Sequence, residues 1–461
     1  MTHVRTVVIG GGIAGLAAAW QLAAEGAGEV VVLEGSPQVG GKLLGHDVAG
    51  LRVDVGAEAM LNRKPEGVDL ATALGLPVVH PTHASSRIWV ADALRPLPRS
   101  LMGVPLDLED LARSAVLSEH GLAAAARELD LPAEDLEGDM SVGDLVSRRF
   151  GAEVTDKLVE PLLGGVYAGH AREISALAAV PQLVTYARRG SVLAQAAGIP
   201  TTYDGPVFAG IPGGMSRLPE ALVASGTFGV RTGATVRELR RTSNGFALVL
   251  GSTRDAEELT ADRVVLATPA PAAARLLADV APIASGELAR IESASMAVVT
   301  MAFGAESLGA LARTTFSGFL VPPIERRRIK AATFSFAKWG WVREAGAQDD
   351  LLVLRTSLGR HREEASLQLS DEELVAISLG DLELATGVAA RPVDAHVQRW
   401  GGGLPQYAVG HLDRVSRIRA DVDRVPGLAV CGAPYDGVGI PAVIASARRA
   451  VAQITGAEWG A

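Results

Sequence analysis

Thr6-Val-Val-Ile-Gly-Gly-Gly-Ile-Ala-Gly15, followed by Val30-Val-Val-Leu-Glu34 and Val39-Gly-Gly-Lys42, decides the fold of this chain. The apolar run Val7–Ile9 has the length of a buried parallel strand. Gly10, Gly12 and Gly15 then follow as G-x-G-x-x-G and run into a small-residue helix over 14–24. The spacing meets three needs: a tight turn, room for a pyrophosphate against the backbone, and close packing of helix on strand. The phosphates belong at the helix N-terminus, where unpaired N–H groups and the helix dipole favour negative charge. A second apolar run, Val30–Leu33, ends in Glu34, placed to accept from a ribose 2′-OH. A carboxylate there repels a 2′-phosphate, so NADP is disfavoured. Strand, glycine turn, helix and acidic strand end together define a dinucleotide site.

Composition bounds what surrounds that site. At 461 residues the chain exceeds the size at which one core keeps growing, so several lobes are expected. It is 48% hydrophobic with a net charge of −9, and no basic run suggests nucleic acid. The single cysteine, Cys431, excludes an internal disulfide framework and a Cys-x-x-Cys redox pair, and fits packing in a buried strand. The apolar stretch 7–20 holds four glycines and lacks both a basic leader and a cleavage pattern, so it is not read as a signal peptide. No uninterrupted apolar run reaches about 18 residues, the length a membrane span needs. The expectation is a cytoplasmic protein, at most peripheral to a membrane, with no metal.

Patterning along the chain divides it further. Short strands fall around 87–91 and 94–98, and a helical pattern runs from Leu106 to about Ser191, with amphipathic runs at 108–117 and 154–163 and a cap at Ser141-x-x-Asp144. Val236–Leu239 and Phe246–Leu250 flank Ser243-Asn244-Gly245, a hairpin signal. Residues 262–268 read as a buried strand, Ser370-x-x-Glu373 starts a capped helix, and 426–455 repeats strand, glycine turn and helix. The fold class is therefore α/β: a Rossmann-like domain discontinuous in sequence (1–60, 206–282 and 396–461), an inserted mixed-sheet substrate domain (61–100 and 283–395) and a helical subdomain (101–205).

Further signals point to a flavin. Gly40-Gly41-Lys42 lets backbone pass a ligand beside a cation, and Asp54-Val55-Gly56-Ala57-Glu58 ends the next strand at the same depth. Gly432–Pro441 leads into a helix over 442–454, whose N-terminus favours the charge a reduced flavin carries at N1/O2. No second G-x-G-x-x-G follows a strand: Gly401-Gly402-Gly403 leads to a proline, and Gly213-Gly214 lacks the spacing. Without a nicotinamide module, electrons enter from an organic substrate and leave to oxygen or another diffusible acceptor.

Across nearly its whole length the sequence resembles the flavin-dependent porphyrinogen oxidases of the amine-oxidase superfamily, most closely the bacterial coproporphyrinogen III and protoporphyrinogen oxidases. Five blocks carry the narrower resemblance: Leu158–Gly169, Gly213-Gly214-Met215-x-x-Leu218, Thr333–Trp339, Arg399–His411 and Tyr435–Pro441. The chain departs from the family pattern at Ala57 (usually proline), His170 (commonly aspartate) and Ala447 (often glycine).

The resemblance implies FAD held by Gly10, Gly12, Ile13, Ala14, Gly15, Glu34, Gly35, Gly41, Lys42, Gly56, Ala57, Glu58, Ala59, Val236, Trp400, Val438, Gly439 and Ile440. It implies substrate contacts at Tyr167, Gly169 and His170. It also implies a porphyrinogen that loses six electrons in three turnovers to oxygen with peroxide release, in haem biosynthesis, with hand-over to a downstream enzyme of that pathway. Coproporphyrinogen III is favoured over protoporphyrinogen IX, because the 5 lysines against 38 arginines suggest a GC-rich bacterial gene. No catalytic acid or base is assigned. Substrate propionates need cations, and Arg63 and Lys64 are candidates by position, with Arg95 and Arg188 behind them. Amine oxidases share the fold but call for an aromatic cage, which 4% aromatics supplies poorly. A carotenoid desaturase, or a non-enzymatic binding module on the same fold, are the remaining alternatives.

Overall fold

A computed structural model describes residues 5–83, 85–198 and 205–456. The apolar runs at both ends of the chain meet in one five-stranded parallel sheet. Its order is Gly229–Arg231, Val30–Leu33, Thr6–Ile9, Arg263–Leu266, Leu428–Val430. Thr6 pairs with both Val30 and Arg263, so the first strand is central, and it is buried on both faces. On one face the helices Ile13–Ala24 and Ile440–Thr455 pack together over Val8, Val32 and Val265. Alanines on both helices allow that approach, and Ala447 is fully buried between them. The other face is covered by an antiparallel sheet of Val236–Thr242, Gly245–Leu250 and Glu257–Ala261, with Phe246 and Leu248 against Val7 and Ile9.

The second large sheet has seven strands in the order Asp394–Pro405, Ser293–Gly304, Leu351–Leu358, Ile329–Thr333, Gly318–Leu320, Arg87–Val90, Ala93–Pro96. It is antiparallel except where Phe319 pairs with Arg87. Helix Asp371–Thr386, opened by the full Ser370/Glu373 capping box, covers one face, where Leu352, Leu354 and Leu358 are buried. Alternation sends Arg355 and Ser357 to the opposite face, and both are only half-buried in mid-sheet, as are Met296, Leu320, Ala331 and Thr333. Half-exposed side chains in the middle of a wide sheet mark an internal cleft.

Helices between Leu108 and Ala196 close that cleft from the other side around Leu145, Phe150, Leu158 and Leu163. Glu128, fully buried, anchors them. It accepts Arg149 Nε and Nη2 (2.9 and 2.7 Å), the amides of Val192 and Leu193 (2.7 and 3.0 Å) and Ser191 Oγ (2.8 Å).

Several expected boundaries move. Among the described residues the strand Asp394–Pro405 pairs with Ser293–Gly304 alone, so a cut at 395/396 falls inside it and residues 396–405 belong to the seven-stranded sheet. The cut at 60/61 likewise divides the strand Met60–Leu61, which pairs with Phe208–Ala209. The cut at 205/206 adjoins residues 199–204, which lie outside the described residues. The run 108–117 stops being helical after Ser114, because Ala115 turns left-handed (φ 52°). Residues 154–163 straddle a π-helical segment, Thr155–Val159, that leads into the central helix Glu160–Tyr167. The last helix starts two residues early, at Ile440, since Gly439 caps it and Pro441 is tolerated in a first turn. Among the described residues no helix is long and apolar enough to cross a membrane.

Candidate functional site

The nucleotide end is built from the glycine turn. A Cβ on Gly15 would lie 1.9 Å from the Gly10 carbonyl oxygen, and one on Gly10 (φ +112°) 2.6 Å from the Ala267 carbonyl, so helix and strand can approach only without side chains. Gly12 is different: a Cβ there would meet nothing within 4 Å, leaving space in front of the helix. Gly12 has no side-chain cap to offer the first turn, Ile13, Ala14 and Gly15. Glu34 accepts the Gly11 amide at 2.6 Å and the Ser36 amide at 2.7 Å, its carboxylate standing beside that space. Gly35 lies against Thr235, and the Ala234 amide donates to the Glu34 carbonyl, which brings the start of the Val236 strand alongside. The Val236 side chain itself is buried in the core. Gly40 N–H donates to the Gly11 carbonyl at 2.8 Å, so Gly41 and the exposed Lys42 border the same opening.

Gly439 repeats the arrangement at the far end of the chain. It opens the helix at Ile440 without a side-chain cap, and a Cβ there would also meet nothing within 4 Å. The turn before it is fixed from below. Ser446 Oγ takes the Gly432 amide at 3.1 Å and donates to Asp436 at 2.6 Å, Arg419 pairs with Asp436, and Tyr407 OH donates to the Ala433 carbonyl at 2.5 Å. Val438 is half-buried against the helical cluster. Two glycine-capped helix N-termini therefore present unfilled donors, which suits a pyrophosphate at one and the electron-accepting edge of a flavin at the other.

Between them runs Asp54–Ala59. A Cβ on Gly56 would strike the Lys42 carbonyl at 2.1 Å, and Trp400 packs at 3.1 Å from the same point while its indole donates to the Val55 carbonyl at 3.3 Å. Ala57 N–H donates to the Lys42 carbonyl at 3.0 Å, a bond that a proline could not make. Ala59 packs among the apolar side chains around Trp339. Glu58 is buried and held by Lys338 Nζ (2.6 Å), Ser335 Oγ (3.1 Å) and Arg355 Nε (3.2 Å). Burial alone would raise its pKa, but Arg355 and Lys338 outweigh it and hold the carboxyl at about 2. Asp54, also buried, accepts from the Met215 and Ser216 amides (2.9 and 3.4 Å), and burial pushes it up to about 7. Arg355 donates to the Gly56 carbonyl at 2.7 Å, tying the substrate sheet to the nucleotide lobe.

The turn after the central helix forms the opposite wall. Ala168 is left-handed (φ 50°), and Gln406 Nε2 donates to the Tyr167 carbonyl at 2.7 Å. A Cβ on Gly169 would sit 2.0 Å from Gln406 Oε1, which explains glycine there. Tyr167 and Tyr407 rings are 5.4 Å apart, and burial pushes the Tyr167 hydroxyl up to about 12. His170 Nε2 lies 3.1 Å from the His361 carbonyl, and its Nδ1 is 4.0 Å from Glu160. Gly165 and Val166, on the preceding turn, are exposed to the cleft, with Leu320 of the facing sheet 3.9 Å from a Cβ built on Gly165.

The cation candidates fare unevenly. Arg63 and Lys64 are exposed at the start of helix Pro65–Ala73, and Arg188 is exposed with Nη2 on the Leu136 carbonyl. Arg95 lies half-buried on the outermost strand of the seven-stranded sheet. Sequence reasoning missed Arg355, Lys330 and Arg360. Arg355 and Lys330 lie within strands and Arg360 just beyond the strand Leu351–Leu358, and only folding shows that they point inward.

Fold and site together define a dinucleotide-dependent oxidoreductase with a cleft between a nucleotide lobe and a mixed sheet. Residues 13–455 match the family described as flavin containing amine oxidoreductase, and the chain belongs to that family; its cofactor is FAD. It is 37% identical to a coproporphyrinogen III oxidase of Mycobacterium tuberculosis (strain H37Rv) over 98% of both chains. It is 30% identical to a protoporphyrinogen oxidase of Macaca fascicularis over 98% of this chain and 99% of that one. A solved Exiguobacterium sp. 255-15 structure with a provisional protoporphyrinogen oxidase assignment superposes with a TM-score of 0.85, at 31% identity, covering 99% of this chain and 100% of that one.

Proposed function

We propose that this chain oxidises coproporphyrinogen III to coproporphyrin III, passing six electrons in three turnovers to oxygen with release of peroxide, in the cytoplasm. The observation that carries the reading is its end-to-end likeness to chains named coproporphyrinogen III oxidase, including those sharing 37% of residues. The geometry fits it. FAD supplies hydride acceptance at its ring, and the protein binds and orients it. The first-turn amides after Gly12 would hold the pyrophosphate, Glu34 the adenosine ribose, and Lys42 would add a cation at the opening. The first turn of the helix after Gly439 would favour negative charge on the ring, and Gly56 with Trp400 would border it. The substrate enters between Gly165–Val166 and the half-exposed face of the seven-stranded sheet. Buried Glu58, with half-buried Lys338 and Arg355, holds the strand end between the substrate sheet and the nucleotide lobe. We assign no side chain to proton transfer.

The macaque relative favours a second substrate, protoporphyrinogen IX. Turnover of the two porphyrinogens on one yellow, FAD-loaded preparation decides between them. Faster oxidation of coproporphyrinogen III supports the reading, and activity on neither overturns it.

A further inference from the structure

Lys330 is one of only five lysines in the chain, and it is buried to 4% exposure. It sits at a register shift between Ile329 and Ala331, where the ladder to Leu351–Leu358 skips a residue. Such a bulge re-aims the side chain out of the alternating pattern. Its Nζ has no oxygen partner among the described residues and rests 3.9 Å from Met296 Sδ. Met296 is half-exposed on the cleft face and pairs in register with Trp400, the residue that packs at Gly56. The ammonium end of Lys330 is thus one side chain away from the floor of the flavin site.

A second buried cation stands beside it. Arg360 is 6% exposed, and it donates Nη2 to the Val321 carbonyl at 3.1 Å. Its nearest carboxylate, the exposed Glu363, is 3.9 Å away. Glu160 acts on Arg360 only through space, and its Oε1 already accepts the Ala171 amide at 3.0 Å. Two like charges buried together without a hydrogen-bonded carboxylate are costly, and proteins normally pair such groups. Burial, with the Arg360 charge, accordingly pushes Lys330 down to about 7, and burial lowers Arg360 as well. What the pair lacks among the described residues is a carboxylate at hydrogen-bond distance, and the cleft is where one can arrive.

We propose that Lys330 and Arg360 form the carboxylate-binding end of the cleft and take one propionate of the substrate. This rests on the porphyrinogen reading and deepens it. The arginine fork and the lysine point charge complement a single carboxylate, and desolvation makes the contact stronger than the exposed Arg63 and Lys64 could supply.

The test reads binding rather than turnover. FAD-loaded protein is titrated with coproporphyrin III, followed by porphyrin fluorescence, and separately with its uncharged tetramethyl ester in detergent. Lys330→Met preserves the packing volume and removes the charge, and Arg360→Met removes the fork, while Arg360→Lys restores a charge. We expect the dissociation constant for the acid to rise roughly ten- to a hundredfold in each Met variant. Arg360→Lys should recover part of the loss, and the ester should bind wild type and variants alike with FAD content and Tm held. Equal acid affinity in wild type and Lys330→Met overturns the assignment. So does a parallel loss for acid and ester, which marks a packing role, or a change in FAD content without a change in porphyrin affinity. If wild type binds neither porphyrin, the substrate reading itself fails, and the assignment falls with it.

Discussion

Glu34 shows how much one side chain can do at a strand end. Its two oxygens already accept the amides of Gly11 and Ser36, which fixes the glycine turn, and the remaining lone pairs can take ribose hydroxyls. Glu34→Ala removes both functions, so FAD affinity should fall roughly ten- to a hundredfold, the equivalent of about 1–3 kcal/mol for charge-assisted bonds. An unchanged FAD dissociation constant, by fluorescence titration of the stripped protein, would remove Glu34 from the site. Glu58 makes a different prediction. Its folded pKa of about 2 lies below the ordinary value of 4.5, so its pairing stabilises the fold fully above pH 4.5 and is lost as pH falls towards 2. The contribution is on the order of 3 kcal/mol. Asp54 has the opposite sign: raised to about 7, it binds a proton more tightly when folded, and stability declines as pH rises from about 4 to 7. Urea unfolding across pH should show Glu58→Gln flattening the acid limb and Asp54→Asn flattening the neutral one. The place of Glu34 at the end of its strand was legible from the pattern alone, and its ribose contact is the proposal that the titration tests. Lys338 and Ser335 lie in a block recognised by resemblance, but their use on Glu58, 280 and 277 residues away, is a product of folding.

Elements that obey local rules were legible, and those fixed by distant contacts were not. The Asn244-Gly245 hairpin, the Ser370 capping box and the Ser141 cap form as their residues dictate. The π-helical segment at Thr155–Val159 has no comparable local signature, and neither does the bulge at Lys330. The turn after the central helix combines both kinds. Ala168 adopts a left-handed conformation against its preference, and the turn is clamped by Gln406, 239 residues on from Tyr167. A Cβ at Gly169 would displace the buried Gln406 amide from the Tyr167 and Leu404 carbonyls. Gly169→Ala should therefore cost about 1–3 kcal/mol of stability. It should also raise KM, because the turn carries Tyr167 and His170 into the cleft wall. Since the damage runs through one contact, adding Gln406→Ala to Gly169→Ala should cost less than the sum of the single changes. Strict additivity in thermal unfolding would show that the two residues do not act on each other.

Electron flow is a property of the whole molecule. The chain has one wholly parallel sheet among the described residues, and its glycine turn is committed to a single dinucleotide. Beyond this turn and the one ending at Gly439, two further glycine clusters stand in other settings. Gly214 makes room for the Asp54 carboxylate, 2.8 Å from where its Cβ would lie, and Gly401–Gly403 run within the strand Asp394–Pro405. Neither opens a helix, so among the described residues neither offers a nicotinamide a phosphate cradle of the kind at Gly12. That the sheet would draw strands from both ends and the middle of the chain was legible from three strand-and-turn signals. The second sheet was not assembled in advance, because the patterning of its seven strands carries no information about their order. The consequence for chemistry is testable. Anaerobic mixing with coproporphyrinogen III should bleach the flavin band, since the porphyrinogen is the electron donor. Admitting air should restore the band and release peroxide. NADPH alone should leave the oxidised spectrum unchanged over the same period, because neither of these glycine clusters supplies a second dinucleotide cradle among the described residues. Fast bleaching by NADPH would mean that a second nucleotide binds at a surface these sheets do not reveal, and the protein would then be a reductase rather than an oxidase.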